Sequence, residues 1–299
     1  MLQVTENGLR FMRFLLVFIA AVLVNSALAS DKQTLSLRIK PATLMPMLSA
    51  SDLLVLDVRN AEQYADGHIP GAVNLPVNKT FRQSGRTDRV AGPVYIQQLL
   101  GNAGVDRSKH VVVYDDGRFI DAGRMFWVLE VYGHQGVQLL DGGFSAWEAL
   151  GLAISTETSL PEAKAFFAVA QPDKLVTKLS MRLATKNNDV TIIDARSAKE
   201  FSGKKSISNR FGHIPQAINI PWDANLTEDT NTPFIREITE LQELYAGLDR
   251  SKKIVTYCNK GKQSSFSYFI LREMGYDVAH YDGSWFEWSM DSNLPIVGP

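Results

Sequence analysis

The chain contains a single cysteine, Cys258. It ends the apolar run Lys253-Ile254-Val255-Thr256-Tyr257 and opens the polar loop Cys258-Asn259-Lys260-Gly261-Lys262-Gln263-Ser264. That run is too short for a helix and fits a buried strand. Beyond the loop, Phe266, Phe269, Ile270 and Met274 recur at helical spacing, and Gly275 suits a C-terminal cap. Cys258 is therefore expected at the carboxyl end of a strand, where open α/β sheets bind ligands. Gly261 permits a tight turn that leaves backbone N–H groups aimed at the sulfur. The following helix presents its positive end, and Lys260 and Lys262 add two cations. All of these favour thiolate over thiol, and a thiolate can attack without a dedicated general base. A structural cysteine would instead be expected among apolar neighbours. Cys258 is the candidate nucleophile, and Asn259, Lys260, Gly261, Lys262, Gln263 and Ser264 are the candidate anion-binding loop.

The elements that position this loop occur twice. Leu53-Leu54-Val55-Leu56-Asp57-Val58-Arg59 matches Val190-Thr191-Ile192-Ile193-Asp194-Ala195-Arg196, and Gly67-His68-Ile69-Pro70 matches Gly212-His213-Ile214-Pro215. Val111-Val112-Val113-Tyr114-Asp115 matches Ile254-Val255-Thr256-Tyr257-Cys258. Leu140-Asp141-Gly142-Gly143 matches Tyr281-Asp282-Gly283-Ser284. The four blocks keep their order and lie 137, 145, 143 and 141 positions apart, which identifies two copies of one domain. Strands alternating with helical stretches predict an α/β fold for each copy, a central parallel sheet flanked by helices. The lengthening from 137 to 145 places an insertion at Ser202 to Arg210, a polar basic stretch expected on the surface. Periodicity is lost near Ser155 to Ala165, the expected linker.

The first copy's loop reads Asp115-Asp116-Gly117-Arg118-Phe119-Ile120-Asp121. It keeps a glycine but has carboxylates where the second has sulfur and lysines. It should repel anions and be catalytically inactive. Asp194 and Arg196 recur as Asp57 and Arg59, so a structural ion pair is expected, with a supporting role behind the Cys258 loop. His213 recurs as His68 and is expected to be a satisfied hydrogen-bonding group.

The 299 residues carry a formal net charge of −1, and no global field draws the chain to nucleic acid or an anionic membrane. The five histidines are scattered, and no metal-ligand grouping is visible. At the N-terminus, Arg10 and Arg13 precede the apolar run Phe14 to Val24, and Ala27-Leu28-Ala29 follows. This reads as a signal peptide cleaved after Ala29, leaving no stable membrane insertion. The expected organisation is 1–29 leader, 30–155 first domain, 156–165 linker and 166–299 second domain. Export makes the periplasm the expected compartment. It also makes a lone cysteine unusual where cysteines normally pair as disulfides.

The order Asp-x-Arg, Gly-His-Ile-Pro, strand–Cys loop and Asp282-Gly283-Ser284-Trp285-Phe286-Glu287-Trp288 resembles the tandem-domain rhodaneses, the thiosulfate sulfurtransferases, over essentially the whole mature chain. The resemblance implies an inactive first domain, an active second domain and a persulfide formed on Cys258, with no organic cofactor. It implies a small anionic sulfur donor and a thiol or cyanide acceptor. Lys260, two residues after the cysteine, resembles thiosulfate-using members. Members that use 3-mercaptopyruvate, the alternative donor, typically have Cys-Gly-Ser-Gly-Val, with no lysine. Where some relatives have an arginine in contact with substrate, this chain has Glu200. A phosphatase of related fold would need arginine at the sixth residue after the cysteine, and Ser264 stands there. A sulfur-binding module without turnover is the non-enzyme alternative.

Overall fold

The computed structural model of the protein describes residues 36–82, 88–228 and 232–298. The expected leader, residues 1–29, lies outside the described residues. Two five-stranded parallel sheets form. The first contains β1 (Arg38–Ile39), β2 (Leu53–Asp57), β3 (Val73–Asn74), β4 (His110–Tyr114) and β5 (Val137–Leu140), in the order β1-β5-β4-β2-β3. The second contains β6 (Leu175–Val176), β7 (Val190–Asp194), β8 (Ala217–Asn219), β9 (Lys253–Tyr257) and β10 (Val278–Tyr281), in the order β6-β10-β9-β7-β8. The two orders are the same topology written twice, as the sequence repeat requires. The central strands are buried on both faces, which is why they read as unbroken apolar runs. No helix among the described residues is long and apolar enough to cross a membrane.

Register places the chemistry. In β2 and β4, Asp57 lies opposite Tyr114; in β7 and β9, Asp194 lies opposite Tyr257. Each Asp-x-Arg motif thus ends beside the tyrosine that precedes Asp115 or Cys258. The next element in each copy is a long helix, Ile120–Val131 in the first and Gln263–Glu273 in the second. Gly275, at φ +79°, donates its N–H to the Arg272 carbonyl and closes the second helix as expected.

These two helices pack against each other and join the domains. Phe119 stacks on Phe266 with ring centroids 5.3 Å apart, and Phe126 meets Phe269 edge-on at 4.9 Å. Gly123 allows the approach, since a Cβ there would fall 2.7 Å from the Phe266 Cα. At the far end, buried Glu130 accepts from Tyr268 at 2.5 Å and from Arg272 at 2.8 and 3.0 Å. Two reciprocal contacts add to the interface. Asp282 accepts from the Val90 N–H at 2.8 Å, and Asp141 accepts from the Ile235 N–H at 3.0 Å.

The chain between the domains has no regular element until β6. It is held to the first domain by the N–H groups of Lys164, Val169 and Gln171, which donate to Gly101, Tyr132 and Val131. The insertion at Ser202 to Arg210 is an irregular surface loop, tied back through Arg210 to the carbonyls of Asp291 and Leu294.

Candidate active site

Cys258 follows β9 directly, and its Sγ accepts the Gly261 N–H at 3.2 Å. Gly261 can do this because it adopts φ +86°, and any Cβ there would meet the Asp282 carbonyl oxygen at 2.7 Å. The loop is pinned from a second side. The Cys258 N–H donates to Ser284 Oγ at 3.2 Å, while the Cys258 and Asn259 carbonyls each accept at 2.9 Å from the N–H groups of Trp285 and Phe286. Ser284 Oγ in turn donates to the Tyr281 carbonyl at 2.9 Å. Below the loop, Ser265 Oγ donates to the Gly261 and Lys262 carbonyls at 3.0 and 2.7 Å. Cys258 itself is only 1% exposed.

The loop residues do not all turn toward the sulfur. Asn259 donates from Nδ2 to Glu200 Oε1 at 2.8 Å. Gln263 begins the helix, and Ser264 is fully buried with its Oγ unpartnered. The two loop cations each face a carboxylate. Lys262 Nζ lies 2.5 Å from Asp121 Oδ1, and Lys260 Nζ lies 3.9 Å from Asp88 Oδ2. Both carboxylates come from the first domain, more than a hundred residues away, so no reading of the local sequence could place them.

Arg124, also from the first domain, was not anticipated. It is fully buried, donates to the Gly261 carbonyl at 3.2 Å and the Asp88 carbonyl at 3.0 Å, and pairs with Asp282 at 2.6 Å. It thus grips the glycine whose N–H meets the sulfur. Its guanidinium also lies over Trp127. Burial and the Arg124 charge push His280, 3.4 Å away, well below its ordinary pKa. A sequence signal existed: Arg124 and Glu130 are charges set in the otherwise apolar Ala122–Val131.

Asp194 and Arg196 form the expected ion pair, 2.6 Å apart and wholly buried. Tyr257 donates to Asp194 at 2.6 Å, and Arg196 donates to the Gly212 carbonyl at 2.8 Å. Burial and the Asp194 charge raise the Tyr257 hydroxyl well above its usual pKa, keeping it a donor. The first copy repeats this set with Asp57, Arg59, Tyr114 and Gly67. Only in the second copy does the tyrosine lead into a sulfur. Arg196 also lies over Trp285, 4.5 Å from the ring centroid. Glu200 is drawn toward the same region. Burial raises its pKa, but hydrogen bonds from Ser197 and Asn259 and the Arg196 charge outweigh burial and hold it below the usual range. His213 stacks on Phe201 at 3.7 Å, with Nδ1 at the Phe201 carbonyl, and His68 does the same on Tyr64. Both serve packing.

In the first copy, the Asp115 carboxylate fills its own loop. It accepts from the N–H groups of Gly117, Phe119, Asp121 and Ala122 at 2.9 to 3.2 Å. Burial, with the Asp116 charge, lifts its pKa to about 6 despite those donors. Both loops run five residues from the strand to the helix, but the positive-φ glycine is third in one (Gly117) and fourth in the other (Gly261).

The rhodanese-like domain model matches residues 40–150 and again 176–291. The chain is 31% identical to a thiosulfate sulfurtransferase of Pseudomonas aeruginosa, over 88% of this chain and 97% of that one. It is 34% identical to a thiosulfate sulfurtransferase of Azotobacter vinelandii, over 89% and 98%. Among solved structures it superposes on SseA of Escherichia coli, described as a 3-mercaptopyruvate sulfotransferase with the rhodanese fold. The TM-score is 0.75 at 26% identity, over 84% of this chain and 99% of that one. An anaerobic ergothioneine biosynthesis enzyme of Chlorobium limicola shares the fold, with a TM-score of 0.79 at 23% identity, over 88% and 70%. With the same α/β topology formed twice, and a cysteine loop in the second copy, the chain belongs to the rhodanese family, as a tandem of two rhodanese-like domains.

Proposed function

We propose that this sulfurtransferase moves a sulfane sulfur from thiosulfate to a nucleophilic acceptor through a persulfide on Cys258. The observation that carries the reading is the Gly261 N–H directed at Cys258 Sγ at 3.2 Å, in the one copy that has a sulfur. The Cys258 thiolate attacks the outer sulfur of thiosulfate, the S–S bond of the donor breaks, and sulfite leaves with its electron pair. The terminal sulfur of the resulting persulfide carries the negative charge, and the Gly261 N–H, directed at Cys258 Sγ, is the donor beside it. Cyanide or a thiolate then takes that sulfur, and the Cys258 thiolate returns. The first domain holds the loop and performs no transfer, since Asp115 has no sulfur to load. The covalent intermediate supplies what a cofactor would.

Lys260 and the names of the bacterial relatives support thiosulfate as donor; the superposition on SseA supports 3-mercaptopyruvate as the second reading. Intact-mass measurement after thiosulfate treatment is expected to show one added sulfur atom, absent in Cys258→Ser. A Cys258→Ser variant that still turned over would end the assignment. Faster turnover with 3-mercaptopyruvate would establish the second reading, and stoichiometric loading without turnover to cyanide would indicate a carrier. The proposed compartment is the periplasm, and a mature N-terminus at Ser30 in a periplasmic fraction is the expected result.

A further inference from the structure

Among the loop contacts, one joins opposite charges from the two domains. Asp121 follows the first domain's sulfur-less loop and is the second residue of the helix Ile120–Val131. Its Oδ1 lies 2.5 Å from Nζ of Lys262, the residue immediately before the helix Gln263–Glu273. Both side chains are about one-third exposed, at 33% each, although the paired Asp121 Oδ1 is itself buried. Lys260 has a weaker counterpart in Asp88, at 3.9 Å. An anion approaching Cys258 meets lysines already answered by carboxylates.

We propose that Asp121 is a specificity-determining residue: its carboxylate, presented across the domain interface to Lys262, sets how much negative charge the loop accepts in the molecule that reaches Cys258. The inference rests on the reading of Cys258 as the reactive sulfur and extends it to the donor's charge. Asp121 keeps the loop from binding dianions as tightly as two free lysines would. Sulfite, itself a dianion above neutral pH, is then released rather than retained after transfer.

The test compares alkylation of Cys258 by iodoacetate, an anion, with alkylation by iodoacetamide, its neutral analogue, in the full-length protein. A merely looser interface would speed both reagents alike, so the ratio of the two rates isolates charge. In Asp121→Asn, that ratio is expected to rise about two- to fivefold at low ionic strength, the range of a partly exposed ion pair. In 1 M salt the rise should vanish. Asp121→Glu should restore the wild-type ratio, and Lys262→Gln should lower it. A ratio unchanged in Asp121→Asn overturns the proposal, as does failure of both reagents to label folded wild type. If the ratio shifts as expected while thiosulfate adds no sulfur, the charge role stands and the proposed donor falls.

Discussion

Replacing Arg196 by Met removes one half of an ion pair that has no exposure on either side. Asp194 keeps the Tyr257 hydroxyl at 2.6 Å and the Arg196 backbone N–H at 2.9 Å, but loses three guanidinium contacts of 2.6 to 3.1 Å. Leaving such a carboxylate without its cation costs about 3–5 kcal/mol. With each kcal/mol moving the midpoint by about 2–4 °C in a domain of this size, the melting temperature should fall by roughly 6–20 °C. The molecule contains its own control. Arg59 and Asp57 make the same contacts at 2.6 to 3.1 Å, and Arg59 reaches the Gly67 carbonyl at 2.7 Å, against 2.8 Å from Arg196 to Gly212. Arg59→Met should therefore lose the same stability within about 1 kcal/mol. Function should separate the two. Only Asp194 steadies the tyrosine that leads into Cys258, so Arg196→Met should slow sulfur transfer at temperatures where both variants are folded. Thermal melts paired with a thiosulfate–cyanide assay measure both effects. Equal loss of turnover in the two variants would refute the reasoning, because the first-copy pair touches no sulfur.

Gly261→Ala forces a Cβ to within 2.7 Å of the Asp282 carbonyl at a φ of +86°, so the N–H should swing off Cys258 Sγ. Intact mass should then show no added sulfur in a protein whose far-ultraviolet circular dichroism is unchanged. Ser284→Ala leaves the buried Cys258 N–H without its acceptor at 3.2 Å, a loss of about 1–3 kcal/mol readable as a lower denaturation midpoint. Asp115 titrates near 6 in the folded protein against an ordinary 3.8, so its proton is bound more tightly when folded. That contribution to stability is complete below about pH 4 and lost as pH rises through about 6, some 3 kcal/mol in all. Asp115→Asn stays neutral, so wild type should lose about that much stability relative to the variant between pH 4 and pH 7. A difference in unfolding free energy that does not change with pH would count against the burial argument.

The repeat made much of this legible. Four blocks in fixed order imply two copies, and the short apolar runs became β2, β4, β7 and β9 because central strands of a parallel sheet are buried on both faces. The recurrence of Asp194 and Arg196 as Asp57 and Arg59 correctly marked a structural pair, and the stacking of His213 on Phe201 fits the packing role expected of a recurrent histidine. Local sequence could not reveal what the other copy supplies. Arg124 and Asp121 reach the Cys258 loop because helix Ile120–Val131 packs on helix Gln263–Glu273, and the helical spacing of Phe266 and Phe269 marks an apolar face without naming its partner; Asp88 comes from the same domain. Local reading therefore made the loop more positive than it is. Ser284 was legible in type but not in role, since its bond to the Cys258 N–H depends on how β9 and β10 align.

The reciprocal contacts between the domains mean that half of this molecule is not a smaller version of the whole. Cut away the first domain, and Phe266 and Phe269 become a sticky aromatic face in water. The sulfur loop would at once lose its arginine brace and both carboxylates facing its lysines. A gene fragment encoding only the second half should accordingly give an aggregation-prone product whose remaining loop is more basic and less ordered, whatever reactivity its thiol retains.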